Sequence, residues 1–197
     1  MFIEQPAVFL RWLYPTAIWR MSRKKKVVYL TFDDGPIPEA TPFVLDTLDR
    51  FGIKATFFMV GDNVRKHPDI YRMVVERGHR GGFRHSSEEY LENADKANRL
   101  LHTNLFRPPH GWMRLLQFKL LRKHYRIIMW DLVTRDYSKR VTAEDVVNNV
   151  KRYARNGSII TFHDSLKSID KLQTALPEAL QWLKDQGYAF KVIENRE

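Results

Sequence analysis

The sequence contains no cysteine among its 197 residues. Disulfide bonds and cysteine-ligated metal centres are therefore excluded, and any metal ion must be held by histidine, aspartate or glutamate. The sequence also lacks a run of about 18 apolar residues, which is the length that a membrane-spanning helix needs. No internal repeat and no low-complexity linker is present.

The length and composition suit one globular domain. Apolar residues make up 44% of the chain, which is ordinary for a protein with a packed core. The formal net charge of +10 would suit a polyanionic partner. However, the basic residues are scattered along the chain and no nucleic-acid-binding motif accompanies them, so we do not expect nucleic-acid binding.

The first 19 residues are rich in large apolar side chains. Glu4 and Arg11 interrupt this stretch, and no small-residue cleavage site follows it, so we interpret it as a docking helix and not as a signal peptide. We therefore divide the chain into an N-terminal extension, 1–25, and a main domain, 26–197. The expected compartment is the cytoplasm. An amphipathic helix that contacts a membrane surface beside the basic cluster at 20–26 is the alternative.

Short apolar, β-branched runs alternate with helical patterns along the main domain. This alternation indicates an α/β fold with a parallel sheet, and the number of units suggests an irregular (β/α) barrel of about seven strands. The clearest predicted strands are 27–32, 55–60, 105–107, 126–130, 158–162 and 189–193.

Polar residues follow four of these strands, where the C-terminal ends of barrel strands would meet. Taken singly, Asp33-Asp34-Gly35-Pro36 could be a helix-capping turn and His163 a structural histidine. Four polar signatures at four strand ends are hard to explain by packing. The four are Thr-Phe-Asp-Asp-Gly-Pro at 31–36, Phe-Arg-Pro-Pro-His-Gly at 106–111, Trp-Asp at 130–131 with Asp-Tyr at 136–137, and Thr-Phe-His-Asp at 161–164.

In this order, the signatures resemble those of the NodB-type polysaccharide deacetylases (carbohydrate esterase family 4). The similarity spans about residues 26–193. It implies a distorted (β/α) barrel of the polysaccharide deacetylase type and a carbohydrate substrate. The implied reaction is metal-dependent hydrolysis of N-acetyl groups on amino-sugar polymers or oligomers of chitooligosaccharide or peptidoglycan type.

The resemblance also implies roles for individual residues. Asp34 would be a ligand of a divalent metal, usually zinc, that lowers the pKa of a bound water. Asp33 would be the general base, and Arg107 would orient it and hold it ionised. His163 would protonate the departing amine, with Asp136 tuning the histidine.

The same resemblance assigns the substrate-facing groups. The backbone N–H of His110 would meet the oxyanion. Tyr137 and Phe162 would wall the acetyl pocket. His110 replaces the family's usual tyrosine and Tyr137 its usual tryptophan; a backbone donor and an aromatic wall both survive these changes.

The family's second motif, two metal-binding histidines four residues apart on the third strand, is missing. Between a helix ending at Gly78 and one capped by Ser86, only 79–85 remain, which is too short for a strand with two ordinary loops. We therefore expect either that the third strand is absent or that the chain is interrupted between His79 and Phe83. With an uninterrupted chain, His85 is the best remaining partner for Asp34. Glu89 imitates a second ligand, but a capping box with Ser86 already explains it.

Three functions remain open on the sequence alone: an active amidohydrolase, a non-catalytic glycan-binding descendant that cannot hold metal, and a basic polyanion-binding protein. We favour the enzyme, because Asp33, Arg107 and His163 suit proton transfer, which a binding protein does not need. The oligomeric state and the particular sugar are left open.

Overall fold

A parallel sheet curls into an irregular, open barrel with its helices on the outside. The computed structural model describes residues 4–84 and 103–194. Within them, seven parallel strands follow one another in the order β5-β4-β3-β2-β1-β7-β6, and a short eighth strand pairs with the start of β1. The predicted barrel is confirmed. The strands are β1 Val27–Asp33, β2 Thr56–Val60, β3 Arg80–Arg84, β4 Leu105–Arg107, β5 Arg126–Ile127, β6 Leu132–Val133, β7 Ile159–His163 and β8 Ala189–Phe190.

Helices connect the strands and cover the outer face of the sheet. They are α1 Val8–Leu13, α2 Thr41–Arg50, α3 Gly61–Lys66, α4 Pro68–Glu76, α5 Leu115–Leu121, α6 Ala143–Tyr153 and α7 Ile169–Asp185. α6 begins with a capping box, in which Thr142 and Asp145 exchange hydrogen bonds. The helix predicted to begin at Ser86 lies outside the described residues. None of the helices in 4–84 and 103–194 is long and apolar enough to cross a membrane.

Apolar side chains fill two separate layers, one on each face of the sheet. The larger lies between the sheet and the helices and includes Phe32 and Phe162. The smaller lies inside the barrel. Because side chains alternate between the two faces of a strand, Thr31 and Asp33 on β1 face inward while Phe32 faces the helices. The inward positions near the strand ends therefore carry the polar groups.

The expectation of a missing or interrupted third strand is wrong. Arg80–Arg84 is a continuous strand that pairs in parallel with β2 on one side and β4 on the other. It fits because the connection from α4 is shorter than we assumed. Gly78 adopts φ 76, in the left-handed region, so that the chain leaves the helix and enters the strand almost at once. Gly82 has no Cβ that would collide with the ring of Phe58 on the neighbouring strand.

Three smaller features also differ from the sequence predictions. β6 and α3 have no counterpart in the predicted elements, and the strand predicted at 126–130 ends at Ile127. Thr41 is the first residue of α2. Its hydroxyl donates to Asp164 Oδ2 at 2.7 Å, so that its side chain connects the helix to the end of β7.

The N-terminal extension packs against the barrel through buried contacts. Tyr14 is wholly buried, and its hydroxyl donates to the carbonyl oxygen of Met113 at 2.6 Å. Arg11 contacts the buried carboxylate of Asp131 at 3.2 Å. On the outer side of α1, Val8, Phe9 and Trp12 remain exposed.

Asp131 fastens this extension to the barrel. Both of its oxygens accept hydrogen bonds from Arg155, at 2.6 and 2.8 Å, and Ser158 donates to it at 2.8 Å. Arg11 and Arg20 also lie within 4 Å of its carboxylate. The carboxylate is thus the common counter-ion of three guanidinium groups.

We predict that Asp131→Asn lowers the free energy of unfolding by about 2–3 kcal/mol, because the guanidinium groups lose their counter-ion in a partly buried setting. Urea denaturation measures the change. Glu178→Gln is the control: it removes the exposed partner of Lys151 and should cost less than about 1 kcal/mol. Equal losses in the two variants would contradict the assignment.

Candidate active site

Asp33 and Arg107 form a buried ion pair at the C-terminal end of the barrel. Asp33 is the last residue of β1 and Arg107 the last of β4. Arg107 Nη1 lies 2.6 Å from Asp33 Oδ1, and the arginine side chain is fully buried. The contact predicted between these two residues is therefore present.

Each of the three guanidinium nitrogens of Arg107 donates a hydrogen bond. Thr31 and Thr161 accept from Nη1, and the carbonyl oxygens of Ile128 and Met129 accept from Nε and Nη2. The Cζ atom of Arg107 lies 4.1 Å from the ring centre of Phe58. Burial lowers the pKa of Arg107, while the charge of Asp33 acts to raise it. Because arginine does not lose its proton in proteins, the group remains a fixed cation.

The two threonines were not recognised from the sequence. Thr31 stands two residues before Asp33, and Thr161 two residues before His163. The period of two along a strand places each threonine on the same face as the functional residue that follows it. That spacing is the signal by which they could have been found.

His163 and Asp136 form a second buried pair beside Asp33. His163 is the register neighbour of Asp33 across the β1–β7 ladder. Asp136 accepts from the backbone N–H of His163 at 2.7 Å and contacts its Nδ1 at 2.8 Å. Because Nδ1 is engaged there, a proton transfer to a substrate must use Nε2.

The surroundings of His163 favour its protonated form. Burial alone would lower the pKa of His163. The carboxylates of Asp136, Asp33 and Asp34 outweigh it and raise the pKa above its ordinary value. A histidine kept protonated in this way is suited to donating a proton.

Of the three predicted substrate-facing residues, the structure places Tyr137 against His163. The ring centre of Tyr137 lies 4.6 Å from that of His163. His110 is exposed, in the turn Pro109–Gly111 that follows β4, with φ 54. Phe162, in contrast, is wholly buried and stacks on Phe32 in the layer between sheet and helices. It faces away from Asp33 and cannot line the same pocket.

The turn after β1 is held by a buried carboxylate that the sequence analysis did not single out. Asp164 accepts from the backbone N–H of Gly35 at 3.1 Å and from the Thr41 hydroxyl at 2.7 Å. A Cβ at position 35 would collide with this carboxylate, which explains the glycine. Burial raises the pKa of Asp164 to about 7. The turn fixes Asp34, whose φ of 82 is rare for a residue with a side chain.

The predicted metal site is not assembled in the described part of the chain. Asp34 Oδ1 accepts from Arg84 Nη1 at 2.7 Å, and the same nitrogen lies 3.1 Å from Asp33 Oδ2. No three histidine, aspartate or glutamate side chains within 4–84 and 103–194 lie close enough together to hold a metal ion. His85, the second predicted ligand, lies outside those residues. What is described around Asp34 therefore does not fit a bound divalent metal.

Arg84 was missed because the strand that carries it was not predicted. It is the last residue of β3 and the register neighbour of Arg107 on β4. Once the strand is recognised, Arg84 belongs to the same set of strand-end residues as Asp33, Arg107 and His163.

Comparison with known proteins places this cleft in a family. The model of the polysaccharide deacetylase family matches residues 20–100. A peptidoglycan-N-acetylglucosamine deacetylase of Bacillus cereus is 33% identical over 192 residues, covering 89% of this chain and 90% of the relative. The chain belongs to the polysaccharide deacetylase family. Its chemistry is therefore that of a hydrolase that removes acetyl groups.

Solved structures agree with this membership. The Bc1960 peptidoglycan N-acetylglucosamine deacetylase has a TM-score of 0.84 and 30% identity, covering 93% of this chain and 94% of the other. BA3943 of Bacillus anthracis, a CE4 family pseudoenzyme, has a TM-score of 0.78 and 28% identity, covering 95% of this chain and 71% of the other. A protein named as a deacetylase and one named as a pseudoenzyme thus share this fold with the chain.

We predict that Asp136→Asn lowers the pKa of His163, because the neighbouring negative charge is removed while burial remains. NMR titration of the imidazole measures this pKa, which should lie above the ordinary value of about 6.5 before the substitution. Asp170→Asn, on an exposed position of α7, is the control and should leave the titration unchanged. An unaltered midpoint in Asp136→Asn would show that Asp136 does not tune the histidine.

Proposed function

We propose that the chain hydrolyses the acetamide of N-acetylglucosamine units in peptidoglycan or chitooligosaccharides. The observation that carries this proposal is the placement of Asp33 and His163 side by side on neighbouring strands, each oriented by its own buried partner. A carboxylate and a protonated imidazole on neighbouring strand positions can serve as the base and the acid that amide hydrolysis requires.

In the proposed reaction, Asp33 takes a proton from a water molecule as its oxygen bonds to the acetyl carbon. The carbonyl oxygen becomes an oxyanion, which the backbone N–H of His110 would meet. The C–N bond then breaks, and His163 gives its proton from Nε2 to the departing amine. Acetate and a free amino sugar result.

Arg107 acts in this scheme as a positioning residue. It holds Asp33 Oδ1, so that Oδ2, which lies 3.1 Å from Arg84 Nη1, is the oxygen that would take the proton of the water. Tyr137, against the imidazole edge, would form one wall of the acetyl pocket in place of Phe162. The names of the relatives support N-acetylglucosamine as the sugar.

Zinc is the cation that the family resemblance would add beside Asp34, where it would lower the pKa of the attacking water. The described residues do not form such a site, and no step above depends on it.

A second function is favoured by one contact. Arg84 engages Asp33 Oδ2, the oxygen that the water would need. A cleft in which both oxygens of the base are held by guanidinium groups suits a glycan-binding protein without turnover. The pseudoenzyme among the structural neighbours supports this alternative.

We predict that Asp33→Asn and His163→Ala each lower acetate release by about 10²–10⁴-fold, as loss of a general base or acid does. Acetate released from chitooligosaccharides and from peptidoglycan fragments is measured. The controls are Asp62→Asn and His124→Ala, both at exposed positions, which should retain the activity of the unmodified chain.

Unchanged acetate release in either site variant would remove that residue from the mechanism. If the unmodified chain releases no acetate from either substrate but binds chitooligosaccharides in calorimetry, the glycan-binding function replaces the hydrolase.

A further inference from the structure

The position beside Asp34 is filled by a side chain of the protein itself. Arg84 reaches from the end of β3 and places Nη1 between the two adjacent carboxylates, 2.7 Å from Asp34 Oδ1 and 3.1 Å from Asp33 Oδ2. The arginine side chain is only 11% exposed, whereas Asp34 is 40% exposed. The guanidinium of this ion pair is therefore largely buried, whereas the Asp34 carboxylate is partly exposed.

The charges of the four strand-end residues balance. Asp33 and Asp34 supply two negative charges, and Arg84 and Arg107 supply two positive ones. A divalent cation added to this set would have no negative charge to neutralise. It would also face a guanidinium in a partly buried setting, where repulsion between like charges is weakly screened.

The geometry leads to the same result. Zinc binds a carboxylate oxygen at about 2.0–2.2 Å. An ion placed between the two carboxylates would have to occupy the space that Arg84 Nη1 now takes. The guanidinium would have to swing away before a metal could use both aspartates.

We propose that Arg84 replaces the metal ion as the cation of this site, so that the chain does not take up zinc at Asp34. This inference rests on the same cleft as the proposed function. It concerns metal uptake only, so its test does not require that the chain hydrolyse a substrate. The ligand affected is a divalent transition metal, and the residue that excludes it is Arg84.

The test compares zinc binding by the full chain with and without Arg84. Each protein is dialysed against a chelator, and zinc titration by calorimetry is combined with the metal content measured after re-dialysis. The unmodified chain should retain much less than about one zinc per chain, because Arg84 Nη1 occupies the space between the two carboxylates. Arg84→His removes the guanidinium and supplies a ligand next to Asp34, and it should bind zinc at least about tenfold more tightly.

Two further variants make the result specific to this position. Arg80→His places a histidine at the exposed start of the same strand and should not gain zinc binding. Asp34→Asn, added to Arg84→His, should abolish the gain. Circular dichroism checks that each variant is folded, and the measurement on the unmodified chain does not depend on any variant.

Zinc retained at about one per chain by the unmodified protein, and lost in Asp34→Asn, would overturn the proposal. So would a folded Arg84→His chain that binds zinc no better than Arg80→His. Because the readout is metal content, the outcome is separate from acetate release: an active chain without zinc would support both proposals, and an inactive chain with zinc at Asp34 would contradict both.

Discussion

A single guanidinium buried inside the barrel joins the strands on which the cleft is built. Arg107 comes from β4 and contacts side chains of β1 and β7 as well as the carbonyl oxygens that follow β5. Removing a charge of this kind from water costs several kcal/mol, which is offset here by the ion pair with Asp33 and by an acceptor for each of the three guanidinium nitrogens. The positions of Asp33, Thr31 and Thr161 are thus fixed by one residue that a substrate cannot reach.

The cleft behaves electrostatically as one coupled unit. Asp33 lies between two guanidinium groups, and its charge also contributes to the raised pKa of His163. A change at Arg84 would therefore alter the availability of the base. Asp164 contributes in a different way, because it holds the turn that carries Asp34 and does not contact His163 through its side chain.

The strand-end arrangement could be predicted because it rests on local patterns. Apolar runs that stop at polar residues identified β1, β4 and β7, and the barrel architecture implied that Asp33, Arg107 and His163 would meet. β3 was missed because a strand with two loops of ordinary length did not fit between the predicted helices. Its two adjacent glycines also do not resemble a strand. They are tolerated because the side chains of β2 fill the space beside them, and this contact between strands cannot be read from either segment alone.

The positions of Phe162 and Arg84 both depend on how the strands are arranged in the sheet. Phe162 stands next to His163 in sequence, but strand alternation sends it to the other face of the sheet. Arg84 stands far from Asp34 in sequence, but the register of β3 brings the two together. For both residues, the face and the register of the strand decide what the side chain contacts, and the distance along the sequence does not.

Tyr14 belongs to the packed core, although it lies before the region that the family model matches. The family model begins at residue 20, yet the tyrosine ring is part of the main apolar layer and its hydroxyl hydrogen-bonds with the loop after β4. The region that the family model matches is thus smaller than the packed unit. A truncation drawn at the edge of the recognised region would cut into the packed interior and expose the hydrophobic surface that the tyrosine covers.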